Sequence, residues 1–262
     1  MINNKINSFE KKGFTVEKKD IKKIFFKRVK SKIFKKSKSI LKIKGNNEDN
    51  FFNFFHKLNL SDADLNFLRQ QLNKEINKKN FAIKQGFNAL KNHLTSLLGP
   101  DIVAQNRVNL VIQKPGDINQ VTLHRDAPPN SPYEIVVWVP LTKVFKTKNM
   151  YILEKKETIK LINSLRKQRK SKNNLLSSIF KKIEKKATKN KMNFGEALFF
   201  STSLFHLVPV NKESETRWSL NFRFKSLFSP YGQKRYPEFF DVIQESSVSK
   251  LALEFIKNEK KR

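Results

Sequence analysis

Four histidines and no cysteine stand in this 262-residue chain, and two of the histidines sit where chemistry is expected. His124 follows the strand-like 121–123 (VTL), and Asp126 comes two residues later, before the Pro-rich turn 127–132 (APPNSP). Residues two apart on an extended strand project to the same face, so this pair offers an imidazole and a carboxylate together. His206 follows a second strand-like segment, 196–201 (EALFFS), far downstream. Two imidazoles and one carboxylate on one face of an octahedron suit Fe(II), leaving three positions for a co-substrate and O2. The same residues also read as a turn hydrogen bond and an interior histidine, and His-x-Asp alone does not choose between these. His56, in FFNFFHKL, and His93, beside an apolar helical stripe, read as structural.

Arg217 adds weight to the metal reading. In 216–224 (TRWSLNFRF) alternation puts Arg217, Ser219, Asn221 and Arg223 on one face of a strand, and Trp218, Leu220, Phe222 and Phe224 on the other. An arginine inside a barrel requires an anionic partner, because an unpaired buried guanidinium is costly. A dicarboxylate gripped at its far end by the guanidinium fork meets that requirement.

Other chemistries fall away. Without cysteine there are no disulfides, thiolate zinc sites, iron–sulfur clusters or thiol nucleophiles. His124-Arg125-Asp126 is not a kinase loop, because Asn130 comes one residue too early and prolines replace the usual run. With 7 glycines there is no Gly-rich phosphate loop. A zinc hydrolase reading lacks an HExxH helix and leaves Arg217 without a role.

The elements that must hold these residues follow from periodicity. Ile21, Phe25, Val29 and Ile33 predict one helix; a Ser61–Asp64 cap followed by Leu65, Leu68, Leu72 and Ile76 predicts a second; Ile83 to Leu97, stopped by Gly99-Pro100, predicts a third. From about Arg107 the period changes to two. Strands are expected at 108–113, 134–141, 150–153, 196–201 and 216–224. The stretch 155–191 returns to helical spacing at Ile159, Ile162, Leu165, Leu176, Ile179, Phe180 and Ile183. Helices followed by short strands indicate an α+β protein with a sandwich or barrel core.

The net charge of +31 is unevenly placed. Residues 1–45 carry a net +13 and residues 155–191 a net +12, so the remaining chain is close to balanced. Most of these cations are Lys, in company with abundant Asn, Ile and Phe, the residues favoured by an AT-rich coding sequence. A competing reading makes the chain a non-catalytic basic protein that grips nucleic acid or an anionic membrane surface through these two segments. No apolar run nears the roughly 20 residues of a helical span. The polar start 1–12 has no apolar signal core. A cytoplasmic protein is expected.

As a set, His124-x-Asp126, His206 and Arg217 resemble the phytanoyl-CoA dioxygenase-like branch of the Fe(II)/2-oxoglutarate oxygenases. The surrounding text is similar too, in NLVIQKPGD (109–117), LHRDAPPNSPYEIVVWVPLT (123–142), MYIL (150–153) and FGEALFFSTSLFHLVPVN (194–211). It looks like the group of these enzymes encoded within bacterial surface-carbohydrate gene clusters. The likeness covers roughly 105–226, with a looser one in the helical N-terminal part. It implies a double-stranded β-helix (jelly-roll, cupin-like) core at 101–230 with a basic helical insertion at 155–191. A mainly helical part at 1–100 and a C-terminal extension at 231–262 would complete a single oxygenase domain. It implies Fe(II) on His124, Asp126 and His206, and 2-oxoglutarate paired with Arg217. Ser219 would add a hydrogen bond, Trp138 an aromatic wall near the co-substrate, and Gln113 a weaker contact. Arg223 would be a second anchor or an exposed strand end. The implied activity is O2-dependent oxidation of a small molecule, first among them a sugar, nucleotide-sugar or sugar-linked intermediate of surface polysaccharide synthesis. No specific nucleic acid is implied, and the segment 155–191 offers a surface for peripheral membrane contact.

Overall fold

The computed structural model describes residues 2–118, 122–167 and 183–259. It is a mixed α and β fold with two antiparallel sheets. The larger runs β1 (Phe14–Glu17), β8 (Ala197–Ser201), β5 (Glu134–Pro140), β10 (Arg217–Ser226), β2 (Ile102–Gln105), β11 (Phe240–Gln244), with β3 (Asn109–Gln113) also paired to β10. The smaller runs β4 (Thr122–His124), β9 (His206–Val208), β6 (Tyr151–Ile152), β7 (Thr188–Lys189).

One face of the large sheet carries Trp218, Leu220, Phe222 and Phe224, and it packs in the main core against α2 (Ile24–Leu41), α4 (Asp62–Asn77) and α5 (Phe81–Leu98). α4 starts as its cap dictates, with Ser61 Oγ accepting from Asp64 N at 3.1 Å, and it buries Leu65, Leu68, Leu72 and Ile76. α2 begins later than Ile21 implies: Asp20 takes φ 60°, and Phe26, not Phe25, is the ring fully inside. α1 (Ile2–Lys12) leads into β1, and α3 (Glu48–Phe54) supplies Phe51 and Phe52. With Phe55 these rings surround Trp218 at centroid distances of 6.0, 4.9 and 5.0 Å. The aromatic segment containing His56 is therefore a socket for Trp218. His56 fastens the start of β10, its Nδ1 lying 3.0 Å from Thr216 Oγ1. Gly86 on α5 has no room for a side chain, since a Cβ there would overlap the Phe222 ring.

β3 borders β10 along one edge, and its outward edge is met by α4. Asn77 accepts from Val108 N at 2.7 Å and donates to Val108 O at 2.9 Å; Asn73 accepts from Leu110 N at 3.1 Å; Arg69 donates to Ile112 O at 2.8 Å.

The opposite face of the large sheet turns towards the small one. Val136, Trp138, Leu198 and Phe200 join Met150 and Ile152 in a second cluster between the sheets. The outer side of the small sheet is covered by α6 (Lys155–Lys167), through Leu161 and Leu165 against Tyr151, Leu153 and Leu207. Thus the described part of the basic stretch lays an apolar side on the sheet, and it ends in β7 paired with β6. Leu176, Ile179 and Phe180 lie outside the described residues. Besides β7, which lies within the stretch expected to be helical, two more strands fall where helix or extension is expected from the sequence. β1 pairs with β8, and β11 pairs with β2 before α7 (Ser247–Glu259). Among the described residues no helix is long and apolar enough to cross a membrane.

Candidate metal centre

β4 and β9 pair in a register that sets His124 directly opposite His206. Opposed residues of an antiparallel pair share a face, and the two imidazole centroids are 4.2 Å apart. Asp126 is not on the strand. β4 ends at His124, and Asp126 sits in the following turn, where its carbonyl accepts from Asn130 N at 3.2 Å and Asn130 Nδ2 at 3.0 Å. The turn returns the carboxylate to the imidazoles, with Oδ1 3.7 Å from His124 Nε2. Nor does His206 end the strand 196–201; a turn, with Leu204 N bonded to Ser201 O at 3.1 Å, carries the chain across so that His206 opens β9 in the other sheet. One ligand atom from each of the three residues lies within 4.8 Å of the others, an arrangement able to hold a metal ion.

His206 is 5% exposed, and its Nδ1 lies 3.1 Å from Leu204 O. A carbonyl only accepts, so Nδ1 carries the proton and Nε2 keeps the lone pair that a metal needs. Burial pushes this imidazole down to about 4; His124 and Arg223 push the same way, and the Asp126 carboxylate opposes them. The folded metal-free protein therefore holds His206 neutral where the unfolded chain, with an ordinary value near 6.5, takes up a proton. Stability should be full above about pH 6.5 and fall as pH drops towards 4. Urea unfolding of the metal-free protein at pH 7, 5.5 and 4.5 tests this, and His206→Gln should lose less stability across that range.

Arg217 is 1% exposed on the inner face of β10, opposite Gln113 of β3. Burial pushes its guanidinium down to about 10, and the Asp117 carboxylate partly offsets this. Its Nη1 reaches Asn149 O at 3.5 Å, a long contact, and its Nε has no hydrogen-bond partner among the described residues. Ser219 Oγ and Gln113 Oε1 are likewise buried without a partner, while Gln113 Nε2 donates to Pro209 O at 2.7 Å. Trp138 shares this face, with its ring centroid 5.8 Å from Arg217 Cζ. Buried unpaired polar atoms are uncommon in native folds, and several on one face mark where a polar ligand belongs.

Other participants were not evident in the sequence. Lys148, 0% exposed, donates to Glu215 at 2.6 Å and feels the charge of Arg217, so a second cation adjoins the first. Phe200 walls His206 at a centroid distance of 5.0 Å. Arg223 is not an exposed strand end: its side chain is 16% exposed and pairs with Asp126 at 2.9 Å. Alternation locates Arg223 on the inner face, but nothing in the spacing reveals its partner.

The donor set fits a 2-His-1-carboxylate iron site, and the unpaired N–H of Arg217 Nε with the hydroxyl of Ser219 fits an oxygen-rich anion. No family model matches the chain, and no curated protein sequence matches it. Solved structures do resemble it. The non-heme monooxygenase ThoJ, as a nickel complex, aligns with a TM-score of 0.54 and 13% identity over 94% of this chain and 85% of that one. AviO1 from Streptomyces viridochromogenes aligns at 0.53 and 13% identity, over 88% and 97% of the two chains. The non-heme alpha ketoglutarate dependent carbocyclase SnoK from nogalamycin biosynthesis aligns at 0.50 and 11% identity, over 93% of each. At these identities the likeness is one of fold.

Proposed function

We propose that this chain is an Fe(II)- and 2-oxoglutarate-dependent dioxygenase of the phytanoyl-CoA dioxygenase-like kind, a single oxygenase domain in which the two sheets form a double-stranded β-helix. The observation that carries the proposal is the pairing of two features: the His124–Asp126–His206 cluster, and the buried Arg217 Nε and Ser219 Oγ, neither with a hydrogen-bond partner among the described residues. One supplies metal ligands and the other a seat for a dicarboxylate.

His124, Asp126 and His206 would hold the iron, and Arg217 and Ser219 the distal carboxylate of 2-oxoglutarate. When bound, the two supply the oxidising chemistry, with O2 as oxidant and succinate and CO2 as products. The protein's work is placement and exclusion of water. Leu204 O holds His206 through Nδ1, which would leave Nε2 free as the ligand atom. The guanidinium fork of Arg217 would fix one end of the co-substrate, with the Lys148–Glu215 pair beside it. Trp138 and Phe200 set apolar rings beside Arg217 and His206. The substrate we favour is a sugar, nucleotide-sugar or sugar-linked intermediate of surface polysaccharide synthesis, processed in the cytoplasm and admitted past the turn 127–134. The monooxygenase and alpha ketoglutarate dependent activities named for structural neighbours support the reaction class, not that substrate.

Protein loaded anaerobically with Fe(II) and 2-oxoglutarate should form succinate slowly when air is admitted, even without substrate. His124→Ala should form none. Absence of succinate from the wild type, or equal amounts from the variant, would overturn the proposal.

A further inference from the structure

Arg223 lies between two carboxylates. Its Nη2 is 2.9 Å from Asp126 Oδ1, and its Nη1 is 3.8 Å from Glu134 Oε2. All three side chains are largely withdrawn from water, at 16% exposure for Arg223, 11% for Asp126 and 0% for Glu134. Glu134 is itself fixed: it opens β5, and its Oε1 accepts from Ser131 N at 2.9 Å in the turn that also holds Asp126. Its Oε2 and Arg223 Nη1 are each buried without a hydrogen-bond partner among the described residues, and they lie 3.8 Å apart. The turn is anchored from behind as well, with Ser131 Oγ donating to Pro230 O at 2.6 Å and Gly232 lying so close that a Cβ would stand 2.9 Å from Ser131 N.

Asp126 needs this support. It comes from a turn, whereas the two histidines are locked by β-sheet pairing, so its carboxylate is the ligand with the most freedom to be misplaced. A carboxylate has about four lone-pair sites, enough to accept a guanidinium N–H and still bind a metal. Groups that hold a metal's ligands from outside typically change affinity by about 10–100-fold when removed.

We propose that Arg223, tethered by Glu134, is a positioning residue that presents Asp126 to the metal. The inference rests on the metal-centre reading and adds a layer to it. Arg223 acts through Asp126, the carboxylate its Nη2 meets at 2.9 Å.

The test is Mn(II) and Co(II) binding by the full-length protein, followed by calorimetry and by the visible Co(II) spectrum. Arg223→Gln should weaken binding by about 10–100-fold and alter the Co(II) bands. Arg223→Lys should restore part of the affinity, because lysine keeps the charge but not the fork. Glu134→Gln should weaken binding less, and should add nothing in an Arg223→Gln background. Wild-type affinity and spectrum in Arg223→Gln would overturn the inference. Should that variant not fold, Arg223→Lys and Glu134→Gln carry the comparison, and wild-type binding by both would overturn it. A different failure is separable: if the wild type binds neither ion, or Asp126→Ala binds as the wild type does, the metal-centre reading itself is wrong.

Discussion

Arg217→Met should make the protein more stable and leave it unable to use 2-oxoglutarate. Methionine follows the path of the arginine stem without its charge. The wild-type guanidinium is almost fully buried, its Nε has no partner among the described residues, and its contact to Asn149 O is 3.5 Å long. Asp117 offsets only part of that burial, and removing a buried charge that is incompletely compensated should stabilise, here by about 1–3 kcal/mol. A protein of this size should then melt several degrees higher, at about 2–4 °C per kcal/mol. Its uncoupled succinate formation should fall at least about a hundredfold, as expected when a buried anion loses its fork. Thermal shift measurements in the presence of Mn(II) separate the effects: adding 2-oxoglutarate should raise the wild-type melting temperature further and leave that of the variant where Mn(II) alone puts it. A variant that melts lower than the wild type, or still turns over, would show that Arg217 is a structural ion with a partner of its own.

The largest loss of stability should come from Trp218→Ala. The indole is fully buried within rings of Phe51, Phe52 and Phe55, and its removal leaves a cavity between the helices and the sheet. Such truncations cost about 3–5 kcal/mol, a large part of the 5–15 kcal/mol typical of a whole domain. Trp218→Phe should cost much less, because Nε1 makes no hydrogen bond among the described residues that phenylalanine would lose. That milder variant has a second use. The chain has two tryptophans, so Trp138 becomes the sole indole, beside Arg217. Its fluorescence should then be quenched by Co(II) and change again with 2-oxoglutarate, while urea titration gives the stability cost.

The parts legible in the sequence are those with local rules. The alternation in 216–224 separates the core face of β10 from its polar face, and the structure buries Trp218, Leu220, Phe222 and Phe224 against the helices. The Ser61 cap sets the start of α4 because capping needs only residues three apart. What was illegible depends on distant partners. β1 and β11 are too short, at four and five residues, for their alternation to stand out, and each becomes a strand by pairing with a neighbour far along the chain, β8 and β2 respectively. The turn that returns Asp126, and the crossing that moves His206 to the small sheet, are decided by backbone bonds such as Ala127 N to Thr202 O at 3.0 Å. The pairing of Arg223 with Asp126 joins residues almost a hundred positions apart, and residue types alone could not select it from the other cations.

The meeting of α4 with β3 has a consequence beyond satisfying backbone groups. Four residues of helix advance about 6 Å, and two residues of strand about 6.6 Å. Asn77, Asn73 and Arg69, four apart, thus fall into step with Val108, Leu110 and Ile112, two apart and running the other way. Helix and strand mesh like a pinion on a rack, and slipping by one tooth would strand every one of these contacts. The last tooth, Arg69, also lies 3.8 Å from Asp117, whose charge is felt by Arg217. Gln113 follows Ile112 directly. A helix on the far side of the sheet thereby sets the gauge of the anion seat, and the leucines that bury that helix help fix where a co-substrate would sit.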